Sequence, residues 1–313
     1  MFNGYFEDIT EFKEYATNND ISNIRVIISK LIIYDIINNI DIFKKIQYFN
    51  CSNSLFIPFI PKLINLIELY CSNNIHITEI PKELVNLTIL VCSRTQITEI
   101  PKSFVNLQEL NCSDTRISEI PKELVNLQYL NCNDTKISEI PISFVNLRTL
   151  YCSDTRISEI PKELVNLKVL TCLRTQITEI PISFVNLKIL ECSGSQITEI
   201  PNVLINLQFL DCKGSQITEI PKELVKLSFL NCSKIQIKEI PKELINLHLL
   251  DCTDTKITEI PVTLELLENI YSDFINIYEH KANIEKYKNE IKDIIKNGNV
   301  LNDDVNTLIC SYI

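Results

Sequence analysis

Cysteine is the residue whose spacing first suggests chemistry in this chain of 313 residues. Eleven of the twelve cysteines recur at intervals of about twenty residues, at positions 51, 71, 92, 112, 132, 152, 172, 192, 212, 232 and 252. On neighbouring strands their sulfurs would lie about 4.8 Å apart, which suggests disulfides or a metal ladder. However, side chains on parallel strands do not converge, and metal sites use short paired Cys spacings, often with His. We therefore interpret the column as buried free thiols that act as small apolar residues.

Other reactive residue types form no catalytic pattern. The histidines, His76, His248 and His280, do not recur, and the four glycines form no phosphate-binding loop. The period brings no Ser or Cys beside a His. We predict a protein that is not an enzyme and that has no cofactor and no metal.

A glutamate column from Glu79 to Glu259 also recurs every twenty residues. Equal charges stacked on adjacent strands repel each other. Lysines three residues after many of these glutamates would relieve the repulsion, which favours a solvated ridge. A cation-binding strip is the alternative, although carboxylates without convergent carbonyl oxygens are poor calcium ligands.

These columns belong to one repeated unit, of which residues 107–121, LQELNCSDTRISEIP, are a good copy. Leu110 and Cys112 lie two residues apart, so an extended strand points both to one face and Glu109 and Asn111 to the other. A fixed period of this length is typical of a solenoid, whose coils bury their apolar edges against each other. Stacked copies therefore predict a parallel sheet with one core face.

The second half of the unit must return the chain to the next strand. Pro121 ends the extended stretch because its ring fixes φ. About eight residues then remain, which is too few for an average α-helix. The pattern predicts a short turn or 3₁₀ segment at 122–125.

The pattern LxxLxCxxTxIxxIPxxLxx resembles the leucine-rich repeat family in its short, twenty-residue form. The resemblance implies an α/β fold, a leucine-rich repeat solenoid (horseshoe) with a concave parallel β-sheet, short turns or 3₁₀ segments on the convex side, and helical caps. The family's ladder asparagine is represented by Asn74, whereas most other copies have Thr or Ser there. The Cys-bearing repeats and the composition rich in Ile, Asn and Lys resemble leucine-rich repeat proteins of giant DNA viruses of amoebae (mimivirus-like), with an AT-rich protist as the second candidate.

The period divides the chain into three predicted parts. Residues 1–45 form an N-terminal cap, within which 24–37 reads as helix, strand or a degenerate first coil. Residues 46–272 form about twelve coils. Residues 273–313 form a C-terminal helical cap, because Ile284, Tyr287, Ile291 and Ile294 lie on one helical stripe. A docking module is the alternative for 1–45.

Charge and hydropathy restrict the partners. The net charge of −10 argues against sequence-independent binding to nucleic acid. Charged residues interrupt the N-terminal stretch, and no apolar run reaches eighteen residues, so we expect neither a signal peptide nor a membrane span. We expect a cytoplasmic protein, in the host cytoplasm if viral.

The remaining function is recognition, and we predict a non-catalytic scaffold that binds an unidentified host or self protein on its concave face. One candidate strip is polar: Asp114, Asp134, Asp154, Arg116, Lys136 and Arg156, with Tyr129 and Tyr151 and a border of Arg94 and Arg174. The other is an apolar stripe that we expect to be exposed: Val169, Ile189, Phe209, Phe229 and Leu249. For the polar strip, the alternative is a solvated charge pattern. For the apolar stripe, it is cover by the C-terminal cap or by a second copy of the chain. The alternative functions are a substrate-recognition arm of a ubiquitin-ligase assembly and a structural virion component.

Overall fold

The computed structural model of the chain describes residues 2–6, 9–20, 24–28, 33–54, 57–264 and 270–271. The predicted C-terminal cap, 273–313, lies outside the described residues. The chain forms two compact units. The first comprises Met1–Asn166 and Thr171–Ile177, and the second comprises Leu167–Leu170 and Thr178–Ile313.

The first unit begins with strands and helices that do not repeat. They are β1 (Phe2–Phe6), α1 (Ile9–Asn18), β2 (Ile24–Ile28), α2 (Ile33–Asn38) and α3 (Ile40–Phe43). The repeats follow, with one three-residue strand in each coil. In the first unit these are β3 (Tyr48–Asn50), β4 (Glu68–Tyr70), β5 (Ile89–Val91), β6 (Glu109–Asn111), β7 (Tyr129–Asn131) and β8 (Thr149–Tyr151).

The same pattern continues in the rest of the chain. Strand β9 (Val169–Thr171) has its first two residues in the second unit and its last in the first. The later strands are β10 (Ile189–Glu191), β11 (Phe209–Asp211), β12 (Phe229–Asn231), β13 (Leu249–Asp251) and β14 (Ile270–Tyr271). A 3₁₀ turn covers Val262–Leu264.

Within each unit, successive strands pair in parallel and in register. Leu110 faces Leu130, which faces Leu150, in the first unit. The backbone ladder continues past the strands, since the N–H of Cys112 donates to Asn131 O at 2.9 Å and that of Asp114 to Asn133 O at 3.0 Å. The predicted solenoid with a parallel sheet is confirmed.

The core is the stack of equivalent apolar side chains along the coils. In the coil that starts at β6, the following residues are buried: Leu110, Cys112, Ile117, Ile120, Leu124 and Leu127. All eleven cysteines of the column are buried as well. The predicted core face of the strand is therefore confirmed.

The outer part of each coil consists of tight turns. The N–H of Leu124 donates to Pro121 O at 3.1 Å, and the N–H of Leu127 donates to Leu124 O at 3.2 Å. Each turn returns a leucine to the core. These turns are the short outer segments that the position of the proline predicts.

The non-repeating start also contributes to the sheet. Strand β1 pairs with β2, and Val26 of β2 faces Phe49 of β3, all in parallel. The buried rings of Phe12 and Phe43 lie 5.3 Å apart, and Phe43 lies 6.3 Å from Phe49. These aromatic residues extend the core of the repeats into the N-terminal stretch.

A left-handed backbone conformation follows each cysteine of the column, two residues later, a feature that we did not predict. The residues with positive φ are Asn53, Asn73, Arg94, Asp114, Asp134, Asp154, Arg174, Gly194, Gly214, Lys234 and Asp254. Most of them are Asn, Asp or Gly, the residue types that tolerate this conformation best. The turn after each strand therefore restricts side-chain choice at this position independently of any ligand.

The conformation makes Gly214 a direct test of the turn. Its φ is +63°, and an added Cβ would meet nothing within 4 Å. Gly214→Ala should lower the free energy of unfolding by about 1 kcal/mol, because the cost is backbone strain alone. Urea unfolding measures it, with the neighbouring Lys213→Ala as the control. An unchanged stability in both variants would contradict the left-handed turn.

Candidate functional site

The open face of the sheet is the face that carries the side chains one and three positions before each cysteine. In β5 these are Ile89 and Val91, both half-buried, on either side of the core residue Leu90. Unlike the core positions, they differ in type from coil to coil. The open face therefore presents a varied surface on a uniform scaffold.

The open face of the first unit changes from partly open to closed along the stack. Glu109 and Asn111 of β6 are half-buried, whereas Tyr129, Thr149 and Tyr151 of β7 and β8 are buried. The two tyrosine rings lie 5.7 Å apart. The pKa of Glu109 is raised, first by burial and then by the nearby charge of Glu68.

The apolar stripe is largely buried, so the prediction that it is exposed is wrong. Val169 is 3%, Ile189 1% and Phe209 1% exposed, while Phe229 and Leu249 are half-buried. The rings of Phe209 and Phe229 stack 4.1 Å apart and nearly parallel, at 6°. In-register pairing places equivalent side chains directly beside each other, and stacked rings share the surface that each would otherwise expose.

The polar strip forms a ridge at the end of the strands, on the left-handed turns. Asp114 and Asp134 are exposed and Asp154 is half-buried, and the basic residues two positions later, Arg116, Lys136 and Arg156, are exposed. The structure thus brings the predicted charged residues together on one edge. Tyr129 and Tyr151 lie on the open face instead, within strands.

Two arginines pair with the outer carboxylates of the ridge. Arg94 Nε lies 3.0 Å from Asp114 Oδ2, and Arg174 Nε lies 2.6 Å from Asp154 Oδ1. The pKa of Asp134 between them is raised, first by burial and then by the charges of Asp154 and Asp114. At coil spacing the ridge therefore has three consecutive aspartates with an arginine at each end, an arrangement suited to a complementary charged surface.

The cysteine ladder is chemically quiet. The eleven thiols are free, and burial raises the pKa of Cys51 and of Cys112 to about 12. Several thiols also approach a carbonyl oxygen of the next coil, as Cys152 Sγ does at 3.3 Å from Thr171 O. Within the described part of the chain, no three His, Cys, Asp or Glu side chains are grouped to hold a metal ion.

Two family profiles match part of the repeat region. One described as Leucine Rich repeats (2 copies) matches residues 105–143, and one described as Leucine Rich Repeat matches residues 146–167. Together with the twenty-residue coils and the thiol column, they decide the type of protein. It is a leucine-rich repeat protein with a cysteine ladder. A comparison with curated protein sequences finds no match.

Solved structures share this fold. The functional domain of InlJ from Listeria monocytogenes, which includes a cysteine ladder, is 24% identical with a TM-score of 0.68, over 80% of this chain and 57% of that domain. The internalin InlF from Listeria monocytogenes is 24% identical with a TM-score of 0.67, over 76% of this chain and 83% of that one. The ectodomain of the receptor kinase GASSHO1/SCHENGEN3 from Arabidopsis thaliana, in complex with CASPARIAN STRIP INTEGRITY FACTOR 2, is 25% identical with a TM-score of 0.61, over 74% of this chain and 33% of that one.

At the position three residues after the cysteine, the leucine-rich repeats have two kinds of side chain, an amide or a hydroxyl. The ladder asparagine Asn74 donates to Ser54 O at 2.7 Å and to Ile57 O at 2.9 Å, both in the preceding coil. Thr115 instead donates to Cys112 O at 2.6 Å, within its own coil. The hydroxyl therefore closes the turn but does not join coils.

A second asparagine column, which we did not predict, joins the coils on the outer side. Asn126 Nδ2 donates to Val105 O at 2.8 Å, and Asn146 Nδ2 donates to Val125 O at 3.0 Å. The signal was present, because Asn precedes the outer leucine in nearly every repeat. A polar cavity of about 300 Å³ lies along this column, lined by Gln108, Asn126, Gln128, Asn146, Arg148 and Asn166.

The cavity offers amides and one guanidinium, without a carboxylate, thiol or imidazole among its lining residues. Such groups can bind polar ligands but provide no acid–base pair. Within the described residues, the helices are also too short or too polar to cross a bilayer.

The raised thiol pKa values predict a loss of stability in alkali. Between the ordinary value of 9.0 and about 12, Cys51 and Cys112 keep their protons when folded and lose them when unfolded. Stability should therefore be full below about pH 9 and then fall by about 1.4 kcal/mol per pH unit for each such thiol. Urea unfolding from pH 7 to 10.5 measures the slope.

Cys112→Ala is the matched variant. It should be less stable at neutral pH, because it leaves a small cavity, but its alkaline slope should be shallower by one thiol. An equal slope in both proteins would show that the thiol at 112 ionises in the folded state.

Proposed function

We propose that this leucine-rich repeat protein is a non-catalytic interaction scaffold whose open sheet face, the concave face of the predicted fold, binds a protein partner. The observation that carries the proposal is where variation occurs. Core positions repeat Leu, Cys and Ile in coil after coil, whereas open-face positions change from Glu109 to Tyr129 to Thr149. A scaffold that keeps its packing and varies one face has the organisation of a recognition surface.

In the first unit the binding surface combines two kinds of group. The half-buried side chains of β4 to β6, such as Ile89, Val91 and Glu109, offer apolar and acidic contacts. The adjacent ridge of Asp114, Asp134 and Asp154, with its basic residues, supplies charge complementarity. Apolar anchors beside a polar rim are typical of protein interfaces.

The structural relatives are compatible with this function. The Arabidopsis ectodomain forms a complex with CASPARIAN STRIP INTEGRITY FACTOR 2, and leucine-rich repeat folds generally serve as interaction scaffolds. The present chain spans about a third of that ectodomain and 57% of the Listeria InlJ domain. The identity of its own partner, host or self, follows from neither.

We also propose a cytoplasmic location, because buried free thiols are typical of proteins in a reducing compartment. A viral origin, the ubiquitin-ligase arm and the virion component stay predictions.

Arginines placed on the open face test the proposal. Full-length tagged chain carrying Ile89→Arg and Val91→Arg should lose the principal proteins that the wild-type chain captures from extract of its source cells. The reason is that two unpaired charges would be buried at the interface. Quantitative mass spectrometry of the captured proteins measures the loss.

The control is Val85→Arg with Val105→Arg, which adds the same charge at two exposed positions of the outer turns. This variant should keep the captured proteins. Loss from the control together with retention by the β5 variant would place the interface on the outer turns and contradict the proposal. Matched melting temperatures ensure that both variants are folded.

A further inference from the structure

The open face of the first unit has an acidic region around Ile89. Along β3 to β8, the side chains one and three positions before each cysteine include two carboxylates, Glu68 and Glu109, and no lysine or arginine. Ile89 lies between them, since it pairs in register with Glu68 on one side and with Glu109 on the other. At about 4.8 Å per strand, the two acidic residues lie about 10 Å apart. The region is therefore negatively charged around an apolar centre.

Glu109 is the carboxylate of this region that has an unsatisfied oxygen. The residue is half-buried, and its Oε2 atom is buried and accepts no hydrogen bond from the described residues. Burial raises the pKa of Glu109, and the charge of Glu68 raises it further. Glu68, in contrast, accepts a hydrogen bond from the hydroxyl of Tyr70 at 3.2 Å. Since a carboxylate removed from water is costly unless it is paired, Glu109 is a position at which a positively charged donor would stabilise the face.

Tyr129 on the next strand has a second unsatisfied oxygen. It is 4% exposed, and its hydroxyl is buried with no hydrogen-bond partner among the residues that the structure describes. A buried tyrosine hydroxyl usually has such a partner. Tyr129 pairs in register with Glu109, so both side chains point to the open face from adjacent strands. A carboxylate and a phenol that both lack a donor therefore lie about one strand spacing, roughly 4.8 Å, from each other.

A guanidinium group has the chemistry that this pair of oxygens lacks. It is planar and always charged, and it has several N–H donors and no acceptor, so it can donate to a carboxylate and a phenol together. It is also more weakly hydrated than an ammonium group, which suits a partly buried carboxylate. The terminal torsion of a glutamate is soft, so the half-buried Glu109 can turn Oε2 toward a partner. The half-buried Ile89 and Val91 provide apolar surface for the methylene stem of an arginine.

We propose that this region binds an arginine side chain of the protein partner, with its guanidinium on Glu109 and the Tyr129 hydroxyl and its stem across Ile89. Glu68 adds attraction from the other side of Ile89, and the same two carboxylates repel an acidic partner segment. A central arginine of this kind is a typical hot spot of a protein interface. The inference rests on the proposed function, because it specifies the chemistry of the partner at the same face.

Selection from a phage-displayed library of random linear peptides on the immobilised full-length chain tests the anchor. We expect the selected peptides to share an arginine, and calorimetric titration should show that citrulline in its place weakens binding. Glu109→Gln should weaken binding of the arginine peptide by about 30-fold or more, because it removes one partner of a partly buried charge pair. The control is Glu119→Gln, which removes the same charge from an exposed position of the glutamate column and should leave the affinity unchanged. The melting temperature of Glu109→Gln should not fall, since the amide has no charge to bury.

Each other result would overturn the arginine anchor. Selection of no peptide, selection of peptides without a shared arginine, or equal binding when lysine replaces it would remove the guanidinium from the face. Equal losses in Glu109→Gln and Glu119→Gln would show general attraction to an acidic protein, and a lower melting temperature of Glu109→Gln would assign its carboxylate to the fold. Peptides that Ile89→Arg with Val91→Arg loses but Glu109→Gln keeps would overturn the anchor while leaving the proposed function intact. The proposed function has its own readout in the proteins captured from extract, so the two failures are distinguishable.

Discussion

Equal coil length is the constraint on which the rest of the structure depends. Each backbone N–H that leaves a strand must find the equivalent carbonyl of the next coil, as Cys112 finds Asn131. Because pairing is in register, every core residue then meets its own equivalent, and a one-residue slip would turn the core face outward. The coil between Cys71 and Cys92 has one extra residue, which lies in the loop at Asn74. There the amide bonds to two carbonyls of the preceding coil compensate for the irregular loop.

The features that depend on this constraint could be predicted from the sequence. The spacing of two between Leu110 and Cys112 determines a strand face, and the proline and the leucines after it determine the return to the core. These are local properties, repeated often enough that a chance match is excluded. The burial of the cysteine column follows from the same register.

The features that were missed depend on something other than local pattern. Exposure of Val169 or Phe209 depends on what lies above the sheet, and no spacing within a strand contains that information. Asp114 has two physical explanations, since a left-handed turn and a charged binding surface both favour Asp. Its charge suggests recognition, whereas its positive φ gives a backbone reason for Asp at this position. The recurrence of the outer asparagines was visible in the sequence. However, an exposed amide is expected to hydrogen-bond to water rather than to a carbonyl of the preceding coil.

The cysteine ladder shows how a polar atom can be placed in an apolar core at little cost. Thr171 O accepts both the N–H of Cys152, at 2.9 Å, and its thiol, at 3.3 Å. Because the thiol is a weak donor, it can share a carbonyl oxygen that already accepts a backbone hydrogen bond. Volume, rather than hydrogen bonding, thus sets the contribution of the column to stability.

The open face has a consequence for how such a protein changes over generations. Its strands are held by backbone bonds and by side chains on the opposite face, so a half-exposed residue such as Ile89 contributes little to either. Replacement there alters the surface while the packing stays as it was. Specificity can therefore drift one residue at a time without an accompanying loss of fold, and duplication of a whole coil enlarges the surface by one complete strand.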